Sequence, residues 1–338
     1  MKTARLQMKT APDASATDSV HVLPGGGRDA RSPLQSPPMR NLVFAFLLLA
    51  TSAFADYREL LTVPIDPSIA TKLRMAAQAS LKQFPKLKDE DLALTMIDVT
   101  NANTFSRGDY HGDAPFYPAS VIKLFFMADV YATHRENLPD VQRALKEMIV
   151  MSDNDATAYL VDILANTSPG VSLEGRALNK FIDRRRDINR RFQRLGYTDN
   201  VSAMMKPWSF GPFGRDLQVL GPNKENRNKL TANATASLML WIVRRRAPGA
   251  EAMMNFLARP LSPPREDENQ VKEFLGASLP AGAKLWSKAG WTNEVRHDAA
   301  YVELPNGRKF ILVIFTRGTA DDVTLIPGIA KNVLAEWQ

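Results

Sequence analysis

The sequence contains no cysteine among its 338 residues. This absence excludes disulfides and a lipidated cysteine, so an exported form would depend on its hydrophobic core for stability. Histidine is also scarce, with four residues, and their positions lack the spacing of a metal site. We therefore expect no metal and no cofactor, and we expect His111, His134 and His297 to be structural or exposed.

Charge of one sign is not in strong excess. The chain has 43 Lys and Arg residues against 36 Asp and Glu residues, a net charge of +7, and part of this surplus lies in residues 1–55. So small a surplus does not indicate a nucleic-acid partner, and none is expected. With 45% hydrophobic and 23% charged residues, the composition is typical of a globular domain.

Long hydrophobic runs are missing from the start of the chain. The apolar run at 42–50 is too short to form a permanent transmembrane helix. It lies between a basic start at Met39 and the small residues Ala53-Phe54-Ala55, an order typical of a secretory signal peptide over 39–55. Residues 1–38 are rich in Ser, Pro, Gly and Ala, which predicts disorder or a mis-annotated extension in front of the true initiator Met39.

We therefore expect export, to the periplasm or out of the cell, with no stable membrane span after processing. An uncleaved N-terminal anchor is the alternative. The remaining residues, 56–338, are predicted to form one domain, and we expect a monomer.

Hydrophobic periodicity in residues 56–338 predicts an α/β (α+β) fold. Strands are predicted at 92–99, 283–288, 297–304 and 309–315, and 101–110 is predicted to form a turn and a return strand. Helices are predicted at 67–83, 120–134, 141–150, 156–164, 173–194, 231–245, 250–257 and 326–337. Strands at both ends with helices between them predict one sheet built from both chain ends, with an all-helical insertion. Residues 196–228, rich in Gly, Pro and Asn, predict a long functional loop.

The stretch Tyr117-Pro118-Ala119-Ser120-Val121-Ile122-Lys123 carries the first chemical signal. An apolar run follows Ser120, which is therefore predicted to begin a buried helix. Residues three apart share a helix face, so the Lys123 amine would lie beside the Ser120 hydroxyl as a base beside a nucleophile. The tetrapeptide alone is equally compatible with a serine N-cap and a surface lysine.

Two further motifs follow in order. Ser152-Asp153-Asn154 falls in a predicted break between helices, where a turn could present side chains to a cleft, although a helix N-cap would use the same residues. Ser287-Lys288-Ala289-Gly290-Trp291 ends a predicted strand. The order Ser-x-x-Lys, Ser-Asp-Asn and Lys-x-Gly resembles the penicillin-recognising serine hydrolases, in particular the class A β-lactamases and their relatives among the penicillin-binding proteins.

The resemblance implies a role for each catalytic position. Ser120 would attack the substrate carbonyl and become acylated, after Lys123 has taken its proton. Ser152 would relay a proton to the leaving nitrogen. Lys288 would supply positive charge for the substrate carboxylate.

The remaining implied roles concern substrate binding. Asn154 would hydrogen-bond a side-chain amide of the substrate, and Gly290 and Trp291 would line it. The N–H groups of Ser120 and Trp291 would form the oxyanion hole. Arg296 could add a bidentate contact to the carboxylate, or it could be an ordinary surface arginine. The substrate implied is a β-lactam or a cell-wall peptide.

The sequence departs from the class A pattern in three places. The interval from Ser120 to Ser152 is short, which implies a more open cleft. Ala289 replaces a hydroxyl residue, so carboxylate binding should be weaker. The Glu-Pro pair that serves deacylation is replaced by Lys206-Pro207, and a lysine cannot act as a carboxylate base. Among the acids of the loop, Asp199, Asp216 and Glu225, we select Asp216 as the possible substitute.

Three functions remain open from the sequence. The first is a class A-like serine β-lactamase with an atypical deacylation step. The second is a DD-peptidase-like penicillin-binding enzyme acting on D-Ala-D-Ala peptides. The third is a non-catalytic binding module that uses the charged helix 173–194 as a docking face, although that helix is also explained by solvation of its polar side.

Overall fold

A computed structural model describes residues 63–197, 201–208, 210–262 and 269–337. The predicted extension at 1–38 and signal peptide at 39–55 lie outside the described residues and stay predictions. Within the described ranges, no helix combines the length and apolar character that a membrane crossing requires.

In the described chain, one helix and two strands precede a run of helices, and the remaining strands follow that run. The helices are α1 (Pro67–Gln83), α2 (Lys123–Ala132), α3 (Val141–Lys146), α4 (Asn154–Ala165), α5 (Gly175–Arg194), α6 (Gly214–Leu220), α7 (Ala232–Val243), α8 (Ala250–Leu257), α9 (Asn269–Lys272) and α10 (Leu325–Trp337). The strands are β1 (Leu92–Asp98), β2 (Ser106–Tyr110), β3 (Ala258–Arg259), β4 (Lys284–Trp291), β5 (Val295–Glu303) and β6 (Lys309–Arg317). Short 3-10 turns cover Asp89–Asp91, Ala119–Ile122 and Leu275–Ser278, and one π-helical turn covers Glu147–Met151.

The strands form one antiparallel sheet in the order β2-β1-β6-β5-β4-β3. Strands β1 and β2 come from the start of the domain and β4 to β6 from its end, so the prediction of a sheet built from both chain ends is confirmed. β3 pairs with β4 only at Leu285 and Trp286. Beyond Trp286, β4 therefore has an edge that no described strand covers.

Helices cover both faces of the sheet. On one face α1 and α10 pack through residues such as Leu73 and Ile329. On the other face lies the helical insertion, whose core includes Phe126, Leu160 and Met239. Strand residues alternate between the two faces, so neighbouring side chains on β4 or β5 reach different layers. This alternation decides which side chains can approach the helical insertion.

The loop predicted at 196–228 contains one helix that the sequence did not predict, α6. The helix has seven residues, too few to show a clear hydrophobic periodicity, and it is stabilised by tertiary contacts instead. Val219 packs in a small cluster with Phe181 of α5 and with Met204 and Met205 of the loop. The loop is thus a folded unit that packs against α5.

Candidate active site

Ser120 lies in the 3-10 turn that leads into α2. Pro118, and not the serine, occupies the N-cap position, so Ser120 does not serve as a helix cap. The residue is partly exposed, and its Oγ makes no hydrogen bond to any residue that the structure describes. A hydroxyl held at a buried helix start without a structural partner is available to react with a ligand.

Lys123, one turn further along, is completely buried. Its Nζ donates to the Ser152 carbonyl oxygen at 2.6 Å and to Asn154 Oδ1 at 2.8 Å. Both oxygens can only accept, so they use two of the amine hydrogens and leave the remaining position on Nζ for a proton. Burial lowers the pKa of Lys123 to about 7, an effect that the nearby Asp153 carboxylate partly offsets. A substantial fraction is therefore neutral near pH 7 and able to act as a base.

Ser152 follows the π-helical turn and adopts a left-handed conformation, with φ 58° and ψ 32°. Asp153 is the residue that caps α4, because its carboxylate accepts from Ala156 N at 2.6 Å. The capping interpretation thus applies to Asp153, while the Ser152 side chain turns to the lysines. Its Oγ lies 3.3 Å from Lys123 Nζ and 3.0 Å from Lys288 Nζ.

Lys288 of β4 is also fully buried. Its Nζ has three acceptors, which are Ser152 Oγ at 3.0 Å, Gln270 Oε1 at 2.7 Å and the Ala289 carbonyl at 2.8 Å. Burial holds the pKa of Lys288 well below its ordinary value, and the neighbouring positive charge of Lys123 acts in the same direction. Two lysines and one serine therefore form a single buried network.

Gly290 brings the strand against the Ser120 turn. A Cβ at this position would lie 2.7 Å from Ser120 N and 2.8 Å from Val121 N. Only a residue without a side chain permits so close an approach of two backbones. The strand end that carries Trp291 is thereby placed beside the backbone N–H of Ser120, as an oxyanion hole formed by both amides requires.

The structure does not bring Arg296 to this network. Arg296 pairs with Trp291 on β4, so its side chain lies on the opposite face of the sheet from Lys288. It is 4% exposed, donates to the Ala320 carbonyl at 2.9 Å and pairs with Glu273 at 3.4 Å. The expected contact with a substrate carboxylate is not supported by this placement, and neither is the alternative of a surface arginine.

His297 hydrogen-bonds the backbone that leads into the Ser120 turn. Its Nε2 lies 2.8 Å from the Tyr117 carbonyl, and its Nδ1 accepts from Thr316 N at 3.1 Å. The ring must therefore carry its proton on Nε2 and donate it to Tyr117. Burial lowers the pKa of His297 to about 4. This histidine is a neutral structural residue, while His111 and His134 are exposed.

The loop acid selected from the sequence, Asp216, is engaged elsewhere. Its two carboxylate oxygens accept from Arg185 at 2.5 Å and from Lys206 at 3.3 Å. Both cations also contact Asp162 of α4, at 3.3 Å and 2.6 Å. Asp216 is 7% exposed. These four charges hold the loop to α4 and α5, so neither oxygen of Asp216 is free to activate a water molecule.

Two residues near the network were not predicted. Gln270 of α9 accepts from Lys288, and Asp298 of β5 is fully buried with its pKa raised to about 7, chiefly by burial. An acid inside a predicted strand was the available signal for Asp298, whereas nothing in the sequence around Gln270 distinguishes it. No group of three or more His, Asp or Glu side chains suited to a metal ion occurs in the described ranges.

A protein-family model matches the larger part of the chain. The model of the Beta-lactamase2 family, described as the beta-lactamase enzyme family, matches residues 133–337. That range includes Ser152 and Lys288 but begins after Ser120 and Lys123, whose assignment rests on the geometry. No curated protein matches the chain in sequence.

Solved structures share the fold at low sequence identity. The structure of PBP-A has a TM-score of 0.55 and 19% identity, covering 81% of this chain and 98% of that chain. The TLA-1 extended-spectrum β-lactamase has a TM-score of 0.57 and 15% identity, covering 80% and 99%. A β-lactamase from Sphaerobacter thermophilus DSM 20745 has a TM-score of 0.52 and 19% identity, covering 78% and 97%. The predicted fold is confirmed.

Proposed function

The chain belongs to the beta-lactamase enzyme family, and from this premise we propose that it opens β-lactam amides through an acyl-enzyme on Ser120. Family membership makes it a serine hydrolase of the β-lactamase type. The observation that carries the finer proposal is the network in which Ser152 Oγ lies within 3.3 Å of Lys123 Nζ and 3.0 Å of Lys288 Nζ. Gly290 adds the close contact with the Ser120 backbone.

Acylation uses these groups in sequence. Ser120 Oγ attacks the lactam carbonyl carbon, and its proton passes to the neutral Lys123 amine. The oxyanion accepts hydrogen bonds from the N–H groups of Ser120 and Trp291. The carbon–nitrogen bond then breaks as Ser152 donates its hydroxyl proton to the leaving nitrogen. The Lys123 ammonium, 3.3 Å from Ser152 Oγ, then returns the proton that it took from Ser120, so that Ser152 is again a hydroxyl and Lys123 again a neutral amine.

Substrate binding would use the open edge of β4 and the cleft around it. The Asn154 Nδ2 group makes no hydrogen bond to any described residue and could donate to an acyl side chain of the substrate. Lys288 would supply the positive charge that attracts a substrate carboxylate, because Lys123 must be neutral to accept the Ser120 proton. We propose the same binding geometry for a β-lactam and for a cell-wall peptide. Export, as the 39–55 segment predicts, would bring the enzyme to both.

Deacylation is the step for which the site is poorly equipped. Asp216 is held by Arg185 and Lys206, and the resemblance to the class A sequence pattern implies that Lys206 takes the place of the catalytic glutamate. No carboxylate within the described residues hydrogen-bonds Ser120, Ser152 or either lysine of the network. We therefore propose that the acyl-enzyme is hydrolysed slowly.

This charge arrangement also favours a second candidate, a DD-peptidase-like penicillin-binding enzyme that acts on D-Ala-D-Ala peptides and stays acylated by β-lactams. One of the similar structures is a variant of PBP-A as an acyl-enzyme complex with penicillin G. The third candidate, a binding module, has less support. Arg185, Arg190 and Arg191 of α5 are engaged in ion pairs within the chain, so the helix offers a smaller cationic face than its composition suggests.

A stopped-flow assay with a chromogenic cephalosporin tests these functions. Sustained turnover supports the β-lactamase, and a stoichiometric burst followed by a stall supports the DD-peptidase-like enzyme. Intact-protein mass spectrometry should find one adduct in the native protein and none in Ser120→Ala. Absence of a Ser120 adduct with every β-lactam and D-Ala-D-Ala peptide tried would refute both enzymatic proposals.

A further inference from the structure

The turn that presents Ser152 is held by two residues outside the three motifs. A left-handed conformation is strained for a residue with a side chain, so the surroundings must maintain it. Arg259 of β3 donates to the Ile149 carbonyl at 2.8 Å, and Gln270 of α9 donates through Nε2 to the Val150 carbonyl at 2.8 Å. Two buried side chains thus hold consecutive carbonyls just before Ser152.

Gln270 has a second contact that joins this turn to the strand. Its Oε1 accepts from Lys288 Nζ at 2.7 Å. The amide orientation is unambiguous, because Nε2 faces a carbonyl and Oε1 faces an amine. Gln270 is only 4% exposed, so water does not compete for these bonds. One side chain therefore connects Lys288 to the backbone two residues before Ser152.

We propose that Gln270 is a positioning residue. Its amide hydrogen-bonds both Lys288 and the Val150 carbonyl of the turn that presents Ser152, and it thereby fixes the distance between Lys288 and Ser152. This inference rests on the proposed function, since it assigns Gln270 to the step in which Ser152 transfers a proton. Arg259 adds a second hydrogen bond to the same turn, at the Ile149 carbonyl. Without Gln270, the Lys288 amine would lose an acceptor and the Ser152 turn would lose one of its two buried anchors.

The charges around Lys288 make this contact measurable. Lys123 of α2 and Arg259 of β3 face it as cations, and Asp298 of β5 is the acid that acts on it. Gln270 adds a neutral acceptor to this surplus of positive charge. A glutamate at the same place would put a carboxylate against Lys288 and raise the pKa of its amine, whereas a leucine would supply no acceptor.

The contact is tested first without substrate. Lysines labelled at Cε with carbon-13 are titrated by NMR in the full protein, and the Lys288 signal is identified by its loss in Lys288→Met. In Gln270→Glu we expect the Lys288 titration to move to higher pH by at least one unit, and in Gln270→Leu we expect no such upward shift. An unchanged titration in Gln270→Glu would overturn the proposed contact, whether or not the protein is an enzyme.

The consequence is tested by acylation. Since a displacement of about 1 Å can reduce a rate about 100-fold, we expect Gln270→Leu to lower the limiting acylation rate constant about 10- to 100-fold, with little change in the substrate concentration giving half that rate. Gln218→Leu is the matched control, because Gln218 of α6 also bridges two backbone groups, both of Leu173. It should lose stability and keep the native acylation rate.

Failure of the proposed function and failure of the Gln270 proposal give different results. If the native protein forms no Ser120 adduct, the proposed function fails and the NMR titration alone decides whether Gln270 holds Lys288. If the native protein is acylated but Gln270→Leu reacts at the native rate, or loses rate only in parallel with Gln218→Leu, Gln270 has no positioning role.

Discussion

Replacing Gly290 with alanine should separate the strand from the nucleophile. The added Cβ would lie 2.7 Å from Ser120 N, 2.8 Å from Val121 N and 3.0 Å from the Pro118 carbonyl oxygen. All three atoms belong to the backbone, so no side chain can rotate away to make room. The turn and the strand must therefore move apart.

The size of the movement follows from the distances. Restoring an ordinary contact of 3.4 Å from 2.7 Å requires a separation of about 0.7 Å, because packed interiors yield little. Removing one oxyanion donor costs about 100- to 1,000-fold in rate, and a partial displacement should cost less. We expect the acylation rate constant to fall about 10- to 100-fold. Overpacking should also lower the free energy of unfolding by about 1–3 kcal/mol.

Gly108→Ala provides the control for the loss of stability. A Cβ at Gly108 in β2 would lie 2.4 Å from Ala70 N of α1, a comparable backbone clash on the other face of the sheet. Stopped-flow acylation is measured for both variants and corrected for the folded fraction from denaturant unfolding. Equal loss of rate in the two variants, or a native rate in Gly290→Ala, would refute the placement of the oxyanion donors.

Three further predictions concern titration and the loop. The acylation rate should rise with pH through about 7, because Lys123, whose pKa is lowered to about 7, must be neutral to accept the Ser120 proton. A series of burst rates measured at different pH values tests this, and Lys123→Met should lower the acylation rate at least about 100-fold. Asp216→Asn should destabilise the protein by about 3–5 kcal/mol, because it leaves Arg185 and Lys206 with one carboxylate, yet the decay of the acyl-enzyme, followed by mass spectrometry, should keep its rate. Burial lowers the pKa of His297 from 6.5 to about 4 in the folded protein, so between these pH values the unfolded protein binds more protons at this residue than the folded protein does. The neutral ring should therefore contribute roughly 3 kcal/mol to the free energy of unfolding above pH 6.5, and this contribution should be lost as pH falls towards 4. Unfolding curves of His297→Gln should lack that loss.

Much of the fold could be predicted because local pattern and tertiary structure agree. Helix α1 was predicted at its observed bounds, since a regular apolar stripe follows Pro67 and the Asp66 side chain caps the helix by accepting from Ser68 N. Helix α8 was also predicted at its observed bounds. Strands β1 and β6, in the middle of the sheet, were recognisable because they are mostly apolar on both faces.

Elements stabilised mainly by distant contacts could not be predicted. Strand β3 has two residues and exists because β4 pairs with it. The predicted helix 141–150 changes to a π-helical turn after Lys146, where Arg259 and Gln270 bind its last carbonyls. Their partners lie more than 100 residues away in sequence, so no local pattern could reveal the change.

The same limit applies to the candidate site. Motif order placed Ser120, Lys123, Ser152 and Lys288 in one group, and the structure does bring the last three of them into hydrogen-bonding distance. The predictions for Asp216 and for Arg296 depended on which ions surround each one. That information comes from packing, because a buried charge takes whichever partner the fold places beside it.

The charge distribution links the two halves of the proposed reaction. Two acids, Asp153 and Asp298, act electrostatically on the catalytic lysines, and each has a structural partner. Asp153 caps α4, and Asp298 accepts from Leu275 N at 3.0 Å. Asp298 also lies on the sheet face opposite Lys288. Burial keeps Lys123 partly neutral, and the neutral amine favours attack by Ser120 because it can take the serine proton. No carboxylate in the part of the chain that the structure describes hydrogen-bonds Ser120, Ser152 or the two lysines, so we expect hydrolysis of the acyl-enzyme to be slower than its formation.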